Sequence, residues 1–122
     1  MPAERSLRGS AAEDAALALL QQHGLVLLAR NARFRVGELD LVMADGRMTV
    51  FVEVRHRTGN AHGGALLSIT PLKQQRLQAA ARLWLQAHPA RAAMPCRFDV
   101  VTSQGQPARL CWLPDAFQPG GY

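Results

Sequence analysis

The stretch Glu38-Leu39-Asp40-Leu41-Val42-Met43-Ala44-Asp45-Gly46-Arg47-Met48-Thr49-Val50-Phe51-Val52-Glu53-Val54-Arg55 decides the fold. Two β-rich runs, Glu38 to Met43 and Met48 to Arg55, flank an Asp-Gly turn signal, so the segment reads as a β-hairpin. A strand places residues i and i+2 on one face, which groups Glu38 with Asp40, and Phe51 with Glu53, Arg55 and Arg57. With Asp45-Gly46 as a two-residue loop, Ala44 pairs with Arg47, Glu38 faces Glu53 and Asp40 faces Phe51. Asp40 and Glu53 are then diagonal neighbours, with Cβ atoms ~7 Å apart or less. A four-residue loop keeps the acids on one side, whereas an odd loop separates them, because a one-residue slip flips every side chain. Leu39, Leu41, Met43, Val50, Val52 and Val54 fill the opposite face.

On the C-terminal side of the hairpin, residues 56–68 form a Gly-rich loop. Thr70-Pro71, a cap followed by proline at the first helical position, opens a helix to about His88 that stops before Pro89. Ala90 to Pro95 is a linker, Arg97 to Thr102 a strand, Ser103 to Gln106 a turn and Ala108 to Leu113 a last strand. On the N-terminal side, Leu25 to Ala29 is a continuous apolar run that suggests a strand covered on both faces. Ser10 and Glu13 have the spacing of a capping box, and Ala11 to Gln22 is an Ala/Leu-rich helix ended by Gly24. Residues 1–9 and 114–122 read as irregular tails. The order α-β-β-β-α-β-β predicts one α/β domain over residues 1–122, with a mixed sheet of about five strands covered by helices.

A chain of 122 residues, 48% hydrophobic and 6% aromatic, is long enough for one real core, which excludes disorder throughout. No apolar run approaches the ~20 residues that cross a bilayer. Met1 to Gly24 carries acids and no cleavable leader pattern, so a cytoplasmic protein without a membrane partner is expected. Cys96 and Cys111 are too few for a disulfide framework and too far apart for a metal knuckle, and read as buried free thiols. Fourteen basic against nine acidic residues give +5, the balance of a protein that meets a polyanion, nucleic acid first. Thirteen of the basic residues are arginine, a bias that the nucleotide composition of a genome can also produce. If Glu13, Glu38, Asp40 and Glu53 share one site, 14 basic and 5 acidic residues remain, so a negative spot sits in a surface of +9.

Carboxylates brought that close raise one another's pKa or cost stability unless a cation intervenes, and an all-oxygen site suits Mg²⁺ or Mn²⁺. Glu13 shares a helical stripe with Leu17 and Leu20 and so tends toward the sheet, although it is equally the capping partner of Ser10. Arg55, ~6.6 Å beyond Glu53 along the strand, puts a permanent charge beside the ion, where it can stabilise a charged transition state or orient a water. Lys73 lies in line with Leu77, Ala80 and Trp84, and either leans over the hairpin or snorkels to solvent. Arg33, Arg35, Arg57, His56 and His62 are candidate phosphate contacts. The two histidines have no Cys or His partner at zinc spacing. The same charges also suit an ordinary solvated sheet face.

Arg8-Gly9 to Ala16, Arg30-Asn31, Gly37-Glu38-Leu39-Asp40-Leu41-Val42, Phe51-Val52-Glu53-Val54-Arg55-His56-Arg57, Lys73, Ala80-Ala81 and Arg97-Phe98-Asp99-Val100-Val101 occur in order. Over about residues 8–102 this set resembles the YraN family of small bacterial proteins. That family is itself similar to the Holliday junction resolvase and restriction-endonuclease-like group, whose PD-(D/E)xK core binds Mg²⁺ and hydrolyses phosphodiesters. The resemblance implies a restriction-endonuclease-like fold with Asp40 as the metal-binding Asp, Glu53 as the second acid and Arg55 at the lysine position. It further implies Glu13 as the helical Glu of resolvase-type members, branched DNA as partner and a homodimer. Arg55 departs from the nuclease pattern, since arginine cannot release a proton at working pH; Lys73 could replace the motif lysine from its helix. Two readings follow: an endonuclease using Mg²⁺ or Mn²⁺ on structured or branched DNA, and a non-catalytic nucleic-acid-binding module on the same fold. A third, a partner-binding protein, sets the basic surface against an acidic protein instead.

Overall fold

The computed structural model describes residues 3–57, 69–105 and 107–117. Helix α1 (Ala3–Gln22) is followed by strands β1 (Val26–Phe34), β2 (Gly37–Asp45) and β3 (Met48–Arg57), helix α2 (Pro71–Gln86), the single turn α3 (Pro89–Ala92) and strands β4 (Cys96–Gln104) and β5 (Arg109–Phe117). The strands form one sheet in the order β1-β2-β3-β4-β5. Neighbours are antiparallel except β3 and β4, which run parallel because the connection through α2 returns the chain to its starting end. The expected α/β architecture, a five-stranded mixed sheet flanked by helices, is therefore present, and it is consistent with a restriction-endonuclease-like core. Among the described residues no helix is long and apolar enough to cross a membrane.

Each sheet face has its own core. Ala16, Leu20, Leu25, Leu41, Met43, Val50, Val52 and Val101 pack on the α1 side, where small alanines let the helix approach the β-branched strands. Phe51, Trp84 and Phe98 lie on the α2 side, whereas Trp112 packs against the α1-side core. Phe51 stacks on Phe98 with ring centroids 5.4 Å apart and meets Trp84 edge-on at 5.9 Å. Thr70 caps α2 as expected, its hydroxyl accepting the Lys73 N–H at 3.1 Å, with Pro71 behind it.

The hairpin register differs from the expected one by two residues. Asp45 pairs with Met48 and Leu41 with Val52, so the loop is Gly46-Arg47. Gly46 has φ +59°, the left-handed conformation that the first central position of a type II′ turn requires. An even shift preserves the facing of every residue that the ladder pairs, from Leu41 with Val52 to Asp45 with Met48. Alternation breaks across Asp40: Leu39 packs with the α2-side core, whereas Leu41 packs with the α1-side core.

Several boundaries move for identifiable reasons. Helix α1 starts at Ala3, since the Ala, Glu, Arg and Leu that precede Ser10 are good helix formers, so residues 3–9 are not an irregular tail and Ser10 is no cap. Strand β1 runs to Phe34 and is an edge strand, which leaves Val26 61% exposed instead of covered on both faces. Helix α2 ends at Gln86, and α3 forms inside the expected linker, with Pro89 at its first turn. Strand β5 continues through Pro114 to Phe117, as an edge position permits, so residues 114–117 are not tail. Cys96 is half-buried and Cys111 exposed on that edge strand, neither being the buried thiol expected.

Candidate active site

The β2–β3 ladder ends at Leu41 and Val52, and there a side chain takes over from the main chain. Asp40 Oδ2 accepts the N–H of Val54 at 2.8 Å. Glu53, 5% exposed, presents its carboxylate beside Asp40. Burial, followed by the charge of Glu53, pushes the Asp40 carboxyl up to about 8; a hydrogen bond with Glu53 and the charge of Glu13 add to this, and the Val54 N–H opposes it. Near neutral pH the pair thus retains a proton. Two cations converge on the same oxygen, Lys73 Nζ at 3.3 Å and Arg55 Nη1 at 3.5 Å from Glu53 Oε2. Lys73 reaches it from the first turn of α2, which Thr70 and Pro71 begin.

Asp40, Glu53, Arg55 and Lys73 therefore come together. Glu13 stands close enough for its charge to act on Asp40, but its Oε1 is held by Arg30 Nε at 3.2 Å, while Arg30 Nη2 takes Asp14 at 2.7 Å. This clamp ties α1 to β1 and occupies the carboxylate that the capping reading assigned to Ser10. Glu38 is exposed, with Oε1 3.8 Å from Arg33 Nε. Among the described residues no three His, Cys, Asp or Glu side chains form a ready cluster for an ion.

The candidate phosphate contacts separate. Arg33 and Arg35 line an open groove of ≈ 790 Å³ between the β1–β2 turn and α2, and Arg76 of α2 lines it too. His56 points to the α1 side of the sheet, with Nδ1 3.2 Å from Ser103 Oγ, in a cavity of ≈ 210 Å³ shared with Ala11, Ala12 and Ala15. The side chain of Arg57 and the whole of His62 lie outside the described residues.

Residues 12–102 match the uncharacterised protein family UPF0102. The chain belongs to that family. It is 56% identical over 118 residues to a UPF0102 protein of Xanthomonas campestris pv. campestris, covering 97% of each chain. A UPF0102 protein of Xanthomonas axonopodis pv. citri is 55% identical over the same span and coverage, and one of Xylella fastidiosa is 51% identical over 110 residues, 90% of this chain and 91% of the other. The UPF0102 span contains Glu13, Asp40, Glu53, Arg55 and Lys73, so the whole charge assembly lies within it.

One buried acid in this UPF0102 protein was not singled out from sequence as a functional or structural group. Asp99 is fully buried and accepts four hydrogen bonds: Arg97 Nε at 2.9 Å and Nη2 at 3.2 Å, Trp112 Nε1 at 2.9 Å and the Asp115 N–H at 2.9 Å. Every lone pair that could bind an ion is in use, so Asp99 joins β4 to β5 and takes no part in the Asp40 pair. Its signal in the sequence is an Asp inside the apolar run Phe98 to Val101, with an Arg two residues earlier on the same strand face.

Proposed function

We propose that this UPF0102 protein binds nucleic acid and hydrolyses phosphodiester bonds in structured or branched DNA, using Mg²⁺ or Mn²⁺ held by Asp40 and Glu53. The observation that carries the reading is a pair of buried carboxylates placed against each other, with Lys73 and Arg55 both on one oxygen of Glu53. Removing that proton in exchange for a divalent cation relieves the repulsion. The donor set fits, because Mg²⁺ is commonly held by one or two carboxylates and completes its shell with water and substrate phosphate, so no third protein acid is required. The ion supplies Lewis-acid charge to the phosphodiester when bound.

The chain's own groups do the rest. The Val54 N–H holds Asp40 in one orientation. Lys73 and Arg55, both on Glu53 Oε2, are the cations to meet the charge that develops on a scissile phosphate, and of the two only the lysine can hand over and retake a proton at Nζ. Glu13 or Glu38 assists through a water, Glu13 on release from Arg30. Arg33 and Arg35 hold phosphates beside the site, with Arg57 and His62 as further contacts; His56, bonded to Ser103 on the other face, is left out of this role. A cytoplasmic homodimer matching a two-fold junction completes the reading.

Incubation of a four-way DNA junction with the protein and Mg²⁺ or Mn²⁺ tests it. Cleavage is expected, and Asp40→Ala and Glu53→Ala should each slow it by more than the ~10–100-fold that supporting groups around a metal cost. No product from the wild type, or equal cutting by both variants, overturns the nuclease assignment. The second reading, a binding module without catalysis, is favoured by one observation, Arg55 at the lysine position; salt-sensitive junction binding without cleavage selects it.

A further inference from the structure

The groove between the β1–β2 turn and the first turns of α2 combines two surface types that rarely coincide. Arg33, Arg35 and Arg76 line it with one acid, Glu38, and two large apolar side chains, Val36 and Leu72, stand in it 42% and 55% exposed. The Arg33–Glu38 contact is 3.8 Å long between two exposed side chains, which a phosphate can readily displace. The groove is also rigidly spaced. A Cβ on Gly37 would lie 2.9 Å from the main-chain oxygen of Arg76, so turn and helix touch backbone to backbone. Its lining and the candidate site are neighbours along the chain: Glu38 lies two residues, ~6.6 Å along a strand, from Asp40, and Leu72 precedes Lys73.

We infer that this groove seats a DNA strand with its phosphates on Arg33, Arg35 and Arg76 while Val36 and Leu72 wedge against an opened base step. The inference rests on the nuclease reading and gives it a substrate: a duplex already distorted or branched within a few nucleotides of the cut. Guanidinium groups grip phosphate in fork geometry, and apolar side chains set among basic ones unstack base steps, at least cost where stacking is already weak. An acidic peptide or an anionic membrane would use the charge but has no base step to meet the apolar pair. The chain's +5 adds a general attraction to polyanions.

The test measures binding in EDTA, with no divalent ion, to a four-way junction, a mismatched duplex and an intact duplex, each carrying 2-aminopurine beside the branch, mismatch or equivalent position. The wild type should prefer the junction and the mismatch by about tenfold and raise the 2-aminopurine fluorescence only there. Val36→Ser with Leu72→Ser, both exposed positions whose change leaves the core intact, should erase the preference and the fluorescence rise while intact-duplex affinity stays within about twofold. Arg35→Glu with Arg76→Glu should weaken all three by about tenfold or more and flatten the salt dependence by about two phosphate contacts. A preference and fluorescence rise that survive the serine variant overturn the wedge. Unchanged DNA binding by the glutamate variant, or its loss only toward anionic phospholipid vesicles or a poly-glutamate peptide, overturns the DNA assignment of the groove. Cleavage in Mg²⁺ is scored separately: a wild type that shows the wedge signature without cutting leaves the groove standing and removes the nuclease. Cutting abolished by Asp40→Ala but unaltered in rate and preference by the serine variant does the reverse.

Discussion

Asp40 Oδ2 accepts the main-chain N–H of Val54 at 2.8 Å, where the β2–β3 ladder would otherwise continue. A carboxylate in place of a strand carbonyl stops the two strands from closing and holds an acid at the gap, beside Glu53. Such an arrangement at the end of a ladder keeps a buried acid hydrogen-bonded yet leaves its second oxygen for another partner.

The pair should make the metal-free protein less stable as pH rises. Asp40 is raised from 3.8 to about 8, so the folded state keeps a proton that the unfolded chain loses in that interval. Its contribution to stability therefore declines from about pH 4 to about pH 8 and is level outside that window. Asp40→Asn should remove this slope and be more stable than the wild type at pH 9 by on the order of 2 kcal/mol, read by urea unfolding in EDTA.

Ion binding should displace that proton. Calorimetric titration of Mn²⁺ at pH 7 in two buffers of different ionisation enthalpy should show proton release, up to about one per ion, and affinity that tightens as pH rises to about 8. Asp40→Ala should abolish the heat of binding, whereas Glu38→Ala should leave it within about twofold, because Glu38 stands with Arg33. Equal titration curves for wild type and Asp40→Ala would remove the ion site.

Lys73 and Arg55 touch the same oxygen but differ in what they can do with a proton. Lys73→Met should lower the cleavage rate on the order of 100-fold, Arg55→Lys should retain or raise it, and neither should change junction affinity in EDTA by more than about tenfold. A Lys73→Met enzyme as fast as wild type would move the lysine role elsewhere.

Gly37→Ala should destabilise the fold by about 1–3 kcal/mol in denaturant unfolding, since the new methyl meets the main-chain oxygen of Arg76 at 2.9 Å and a helix carbonyl cannot swing aside as a side chain can.

Asp99→Ala should be more damaging still, about 3–5 kcal/mol, because Arg97, the Trp112 indole and the Asp115 N–H lose their acceptor together. In conditions where the variant remains folded its Mn²⁺ titration should match wild type, which separates this structural acid from Asp40.

The layout of strands and the hairpin were legible in the residues, because side-chain alternation and turn chemistry act between near neighbours, whereas the alternation that groups Asp40 with Glu53 breaks beyond Leu41, where the ladder ends. The register itself was not, since both Asp45-Gly46 and Gly46-Arg47 offer the glycine a turn position and only pairing along the whole ladder chooses between them. Tertiary structure alone decided the fate of the other acids: Arg30 of β1 captures Glu13, Arg33 takes Glu38, and four donors from β4 and β5 saturate Asp99. It also brought Lys73 to Glu53 across the space between a helix start and a strand end. A carboxylate's role depends on which charge arrives within ~4 Å of it, and that arrival is set by the packing of elements distant in sequence, which local periodicity does not encode.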